Sequence, residues 1–313
     1  MIDQIKGGFF GAAVGDALGV PVEFSSRTAL SYNPVVSMRG YGVWHQPAGT
    51  FSDDSSLLFC TAESLSKGFD IADMASTFIR WYKEGYWGAH NVVFDIGNAT
   101  RNSLNRLISG TNPTLAGGMM EHDNGNGSLM RILPLVFHLK NEPSIEERYR
   151  IVKLVSGLTH GHFRSVFACF IYVEFGIRLL ANMDVVAVYK QMQDSVNAFA
   201  KAKAFSSTEV ALFDKVLQQD ISLCREDEIG SSGYVIDTLE SSLWCLLTSS
   251  SYQECVLKAV NLGEDTDTTA TVAGGLAGIL YGYSHIPAEW LQTLVKHQEI
   301  NELAERFAQK AGN

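Results

Sequence analysis

Proline is scarce in this chain, 7 in 313 residues, and no Pro/Ser-rich stretch or run of like charge divides it. The sequence therefore offers no linker and reads as one domain over residues 1–313. Sustained strand alternation is nearly missing too; Val35-Val36-Ser37-Met38 is the one modest candidate. Cysteine is thinly spread: Cys60, Cys169, Cys224, Cys245 and Cys255 are odd in number and form no CxxC pair. That excludes a disulfide framework and predicts buried free thiols in a reducing cytosol. Positive charge is in deficit, 24 Lys and Arg against 34 Asp and Glu, for a formal net charge of −10. This argues against a nucleic-acid backbone or an anionic membrane as partner. No apolar run is long enough to span a bilayer; 167–180 and 269–283 are too short, and Glu174 and Arg178 interrupt the first. The apolar run Gly8-Phe9-Phe10-Gly11-Ala12-Ala13-Val14 is short and flanked by Asp3 and Asp16, so export is rejected and a cytoplasmic location expected.

What is present is helical periodicity. Apolar residues recur near every 3.6 positions over 55–67, 71–83, 92–108, 128–139, 145–158, 163–180, 185–204, 207–223, 234–247, 252–261, 266–283 and 288–298. Caps are expected at Asp53 or Asp54, Asp70, Ser144, Ser207 and Asp265. An apolar share of 46% suffices for a large core. The expected architecture is all-α, with about a dozen helices and long loops near 25–52, 84–91 and 110–127.

Glycine is plentiful, and part of it is ordered. Gly7, Gly11, Gly15 and Gly19 fall at every fourth position, as do Gly274, Gly278 and Gly282. Glycine weakens a helix by about 1 kcal/mol relative to alanine, so such rows need a reason. Fourfold spacing puts them on one ridge, where another helix can approach closely. Each row adjoins an acidic segment, and close packing of the two helices is expected to hold those segments together.

The acidic segments are Ser52-Asp53-Asp54-Ser55 and Glu264-Asp265-Thr266-Asp267-Thr268-Thr269. Both mix carboxylates with hydroxyls, and both open apolar helix-like sequence. Two adjacent aspartates exceed what capping requires. Carboxylate and hydroxyl oxygens are hard ligands, suited to Mg²⁺, Mn²⁺ or Ca²⁺; the spacing excludes an EF-hand. Brought together, these carboxylates would repel unless cations neutralised them or some stayed protonated. The simplest solution is a two-metal hydrolytic centre.

Other polar segments are ambiguous singly. Glu23, just after Pro21, reads as a loop carboxylate or as an acid/base group near the metals. Asn124-Gly125-Asn126-Gly127-Ser128-Leu129-Met130-Arg131 is an Asn-Gly turn into a helix, or a phosphate cradle. Thr159-His160-Gly161-His162 lacks a second ligand set for zinc, which leaves a substrate-contacting histidine. Asp95 and Asn98, three apart, would share a helix face.

Their order along the chain is the informative feature. The series G-D-A-L-G-x-P-x-E-F, S-D-D-S, D-x-G-N-x-T, N-G-S-L-M-R, T-H, G-Y-V-I-D-T-L and D-T-D-T, over about residues 5–290, resembles the ADP-ribosylglycohydrolase family. That family includes dinitrogenase-reductase-activating glycohydrolases and ADP-ribosylarginine hydrolases. The resemblance implies a compact, all-α orthogonal helical bundle and two divalent cations, Mg²⁺ or Mn²⁺, held by Ser52, Asp53, Asp54, Asp265, Asp267 and Thr268. It places Glu23 near the metals in catalysis, alongside Asp53, Asp54 and Asp267. It assigns Asn126, Gly127, Ser128 and Met130 to the ribose and diphosphate, and His160 to the substrate side. Tyr234 falls near the adenosine half, and Asp95 and Asn98 at the scissile end. Serines stand at positions 52 and 55 where the family often has threonine, and Glu264 where it often has glycine. The activity implied is hydrolysis of ADP-ribose from a modified protein side chain. Guanidinium geometry suits a carboxylate such as Asp95, which favours ADP-ribosylarginine. The alternatives are O-linked ADP-ribose on serine, another ADP-ribose conjugate, or a non-catalytic protein that binds ADP-ribose or blocks a partner.

Overall fold

The computed structural model describes residues 1–181 and 184–311. Among these are sixteen α-helices and six short 3₁₀ turns, with no strands. The two β-bridges, Gly118 with His160 and Gly125 with Tyr234, are isolated. The all-α expectation holds, and Val35–Met38 is loop.

Two helices lie at the centre, Ile2–Gly19 and Thr266–Tyr281. The first is buried from Gly7 to Gly19, the second from Thr266 to Leu280. A helix apolar on every side has to be covered on every side, and these two cover each other. They run antiparallel along the glycine rows. A methyl group at Gly7 would lie 2.1 Å from the carbonyl oxygen of Gly278, one at Gly11 2.4 Å from that of Gly274, and one at Gly15 2.1 Å from that of Ala270. At Gly19 it would lie 2.3 Å from Cα of Asp267. No side chain fits at any of these four glycines. Gly282 departs from the expected ridge: it terminates the second helix with φ +85°, a conformation glycine adopts without penalty. Around this pair the core is continuous from Ile5 to Phe307.

Several boundaries differ from the sequence reading. The expected 92–108 helix begins at Asn98, because Asp95 takes a left-handed φ of +57°. Residues 128–133 are not helical, and only Pro134–His138 is; proline suits a first turn and not an interior. The 207–223 segment breaks into Ser207–Ala211, Asp214–Leu217 and a 3₁₀ turn. The 288–298 helix stops at Thr293. A terminal helix, His297–Ala311, was not anticipated, although Ile300, Leu303, Ala304 and Phe307 bury one face at helical spacing. Arg27–Tyr32 adds a short helix inside the first long loop. Asp70, Ser144 and Asp265 occupy the cap positions expected of them, whereas the caps assigned to Asp53 or Asp54 and to Ser207 fall on Ser52 and Ser206. Four cysteines are buried and free; Cys224 is free and half-buried.

Candidate metal centre and active site

The two acidic segments meet, and the central helices bring them together. Asp16, on the first helix, is fully buried and faces the start of the Asp53–Lys67 helix. Its Oδ1 accepts from the Ser52 N–H at 2.9 Å; its Oδ2 accepts from the Ser55 N–H at 3.0 Å and the Ser55 hydroxyl at 2.6 Å. A carboxylate borrowed from another helix thus satisfies N–H groups that open a helix. It also fixes where Asp53 and Asp54 begin. One turn further on, Gly19 abuts Asp267, and its carbonyl accepts from the Thr266 hydroxyl at 2.9 Å. Asp16→Asn is expected to cost about 1–3 kcal/mol, because an amide N–H₂ would face donors it cannot accept from. Chemical denaturation measures this, and an unchanged midpoint would contradict the capping role.

The loop before the second motif is tied to the segment after Glu23. The Phe24 N–H donates to the Glu264 carbonyl, and the Glu264 N–H to the Ser25 carbonyl, both at 2.7 Å. Phe24 and Glu264 both hold positive φ, +64° and +61°. Such backbone is costly for residues other than glycine and persists where surrounding contacts fix it. The Glu264 side chain itself is exposed. Arg27 secures the same corner, donating to the carbonyls of Leu262, Glu226 and Ile229.

Glu23, Asp265 and Asp267 each offer a carboxylate oxygen within 4.8 Å of the others. Glu23 is 5% exposed, Asp53 5%, Asp54 2% and Asp267 1%, so water does little to screen them. Burial, then the charge of Asp95, pushes the Glu23 carboxyl up to about 9. Burial likewise raises Asp95 to about 7 and Asp16 to about 6. Asp53, Asp54 and Asp267 rise well above the usual carboxylate range, first through burial and then through their acidic neighbours. Asp54 Oδ2, Asp265 Oδ1 and Asp267 Oδ2 are buried with no hydrogen-bond donor among the described residues. Orphaned acceptors on converging carboxylates are what hard cations satisfy, so the residues fit divalent metal ions.

Above the carboxylates opens a cavity of about 370 Å³. Of the residues expected at the site, Glu23, Asp53, Asp54, Asp95, Asn98, Asn126, Gly127, Met130, His160, Asp265 and Thr268 line it. Asp95 and Asn98 reach it without sharing a helix face, since Asp95 precedes the Asn98–Ile108 helix. Asn126 braces the second motif, its amide donating at 2.9 Å to both Asp265 Oδ2 and Thr238 Oγ1. Gly127 has no room for a side chain, as a methyl group would lie 2.8 Å from His160 Cε1.

Three expected residues sit elsewhere. The Ser52 hydroxyl accepts from the Asp54 N–H and caps its own helix. The Ser128 hydroxyl is buried between Ser156 and Cys169. Tyr234 caps the Val235–Leu247 helix, its phenol 3.5 Å from Arg164. Asp267 lies within the carboxylate cluster beneath the cavity. Sequence reasoning missed Asp16, Thr100, His122 and Trp44. Thr100 and His122 line the cavity, and Trp44 Nε1 donates to Glu23 Oε2 and fixes that carboxyl. Asp16 left a signal as an acid isolated in an otherwise apolar run, and Thr100 as the last residue of D-x-G-N-x-T, although neither was assigned a role.

Fold and site define a class: an all-α protein whose carboxylates, drawn from both ends of the chain, form a site for hard cations beneath a polar cavity. The chain belongs to the ADP-ribosylglycohydrolase family, whose sequence profile matches residues 1–313. It is 34% identical to ADP-ribosylarginine hydrolase Tri1 of Serratia proteamaculans over 312 residues, 98% of this chain and 79% of that protein. It is 29% identical to the ADP-ribosyl-[dinitrogen reductase] glycohydrolase of Rhodospirillum rubrum, over 93% of this chain and 90% of that protein. A solved structure described as an ADP-ribosylglycohydrolase-related protein complex superposes with a TM-score of 0.82 at 31% identity, covering 99% of this chain and 98% of that one.

Proposed function

We propose that this chain, as a single domain over residues 1–313, hydrolyses the N-glycosidic bond of ADP-ribosylarginine on modified proteins in the cytoplasm. The observation that carries the reading is the cavity floor, where orphaned carboxylate oxygens converge beside Asp95. Two relatives of 34% and 33% identity named ADP-ribosylarginine hydrolase support the choice of linkage.

Asp53, Asp54, Asp265, Asp267 and Thr268 would hold two divalent cations, Mg²⁺ or Mn²⁺. The ions would supply Lewis acidity and a fixed positive charge beside the ribose. The remaining work falls to the chain's own side chains. Asp95 faces the guanidinium and pairs with it, which orients the scissile bond. Glu23, anchored at Oε2 by Trp44 and hydrogen-bonded to Asp95, serves in proton transfer. The carboxylates around the anomeric carbon stabilise the oxocarbenium-like charge that develops as the bond breaks. Asn126, Gly127 and Met130 hold the ribose and diphosphate.

The test is release of free ADP-ribose from arginine-modified and serine-modified proteins, with Mg²⁺, with Mn²⁺ and with chelator. Metal-dependent release from the arginine conjugate is expected. Release from the serine conjugate alone would reassign the linkage, and release from neither would leave a binding protein.

A further inference from the structure

We infer that Thr159, held by Arg131, locks His160 as its neutral Nε2–H tautomer, so that the ring presents a fixed hydrogen-bond donor to the cavity and takes up no proton. Arg131 is fully buried, and its Nη2 donates to Thr159 Oγ1 at 2.7 Å and to the Val155 carbonyl at 3.2 Å. A guanidinium has no acceptor, so the direction of that first bond is settled. Thr159 Oγ1 lies 2.8 Å from His160 Nδ1. Were Nδ1 to carry the proton, both neighbours of the hydroxyl would donate to it, and its own hydrogen would be buried without an acceptor, a costly arrangement. When the hydroxyl donates to Nδ1, every group is satisfied, and the ring's proton falls on Nε2. That nitrogen faces the glycine turn of the cavity: methyl groups at Gly127 and Gly125 would lie 3.3 and 3.6 Å from it.

The electrostatics agree. Burial, and then the charge of Arg131, lowers His160 to about 3, against a smaller opposing effect of Asp123. A neutral ring whose Nδ1 is already engaged has no site left for a general base. Its remaining chemistry is donation to a phosphate or ribose oxygen, and naming ADP-ribose as the source of that oxygen rests on the function proposed above. Thr159 and Arg131 are accordingly positioning residues, acting through His160.

The ring-nitrogen spectrum of ligand-free protein labelled with ¹⁵N-histidine reads the tautomer directly, with His160 assigned by its loss in His160→Gln. The wild type should show a protonated Nε2 and a bare Nδ1 at neutral pH. Thr159→Val should lose that single state, and Thr159→Ser, which keeps the hydroxyl, should retain it. A wild-type Nδ1–H tautomer or an imidazolium would overturn the inference, as would a spectrum unchanged in Thr159→Val. Calorimetry with free ADP-ribose adds a second reading. Affinity should fall about 3- to 10-fold in Thr159→Val, the scale of one hydrogen bond, and stay near wild type in Thr159→Ser. Full affinity in a Thr159→Val that had lost the tautomer would overturn the donor role. Absence of ADP-ribose binding in the wild type would instead count against the proposed function, with the tautomer still read by its spectrum.

Discussion

Asp267→Ala, or Asp53→Ala, should abolish turnover in a protein that remains folded. The expected drop in kcat/KM exceeds about 100-fold, the upper end of what removing an outer-shell partner of a metal ligand costs. The same variants should alter stability in an unusual direction. Asp16 is raised to about 6, Asp95 to about 7 and Glu23 to about 9, with Asp53, Asp54 and Asp267 well above their usual range. An acid whose folded pKa lies above its unfolded value holds its proton better when folded. Its contribution is complete below about pH 4 and is lost as pH rises through the folded value. In chelator, the thermal midpoint should therefore fall between pH 5 and pH 9. Mn²⁺ should restore it, most strongly at the alkaline end, where protons no longer compete for the carboxylates. Asp267→Ala removes one repelling charge, so its midpoint in chelator should fall less with pH, and the Mn²⁺ shift should vanish. An intact Mn²⁺ shift in both variants, or near-normal turnover in either, would contradict the assignment.

The second large effect comes from a single methyl group. Gly19→Ala would put its Cβ 2.3 Å from Cα and 2.4 Å from N of Asp267. Backbone cannot rotate away as a side chain does, so the helices must part. Overpacking of this kind costs about 1–3 kcal/mol, and here it displaces the backbone of Asp267 itself. Gly11→Leu and Gly278→Leu should do the same from further along the seam. Gly8→Ala is the control on the same helix. Its methyl group would meet only side chains of Phe137, Ile279 and Leu133, at 3.2–3.4 Å. The seam variants should lose both stability and Mn²⁺ affinity by calorimetry, while Gly8→Ala keeps its metal affinity. Seam variants that lose stability but bind Mn²⁺ normally would show that the seam packs the core without placing the site.

The seam was legible in the sequence because glycine at every fourth position has few purposes in a helix. The meeting of the two acidic motifs was legible because their chemistry made no sense apart. What escaped depends on direction. Ser128 sits in the right turn, yet its hydroxyl points to Ser156 and Cys169. Asp95 reaches the cavity through a left-handed backbone angle that no periodicity encodes. Asp16 reads as an oddity in an apolar helix, and its task appears only once another helix is placed against it. The terminal helix carried its pattern openly, and its charged face obscured it.

The two halves of the carboxylate site are separated by more than two hundred residues, and the seam that joins them is the first helix packed on one of the last. During synthesis the Ile2–Gly19 helix must wait, with its bare ridge uncovered, until the Thr266–Tyr281 helix has emerged more than two hundred residues later. Maturation of the catalytic apparatus is therefore bound to late, long-range closure of the chain. A translation product stalled before residue 266 would carry Asp53 and Asp54 and still have nowhere to seat an ion.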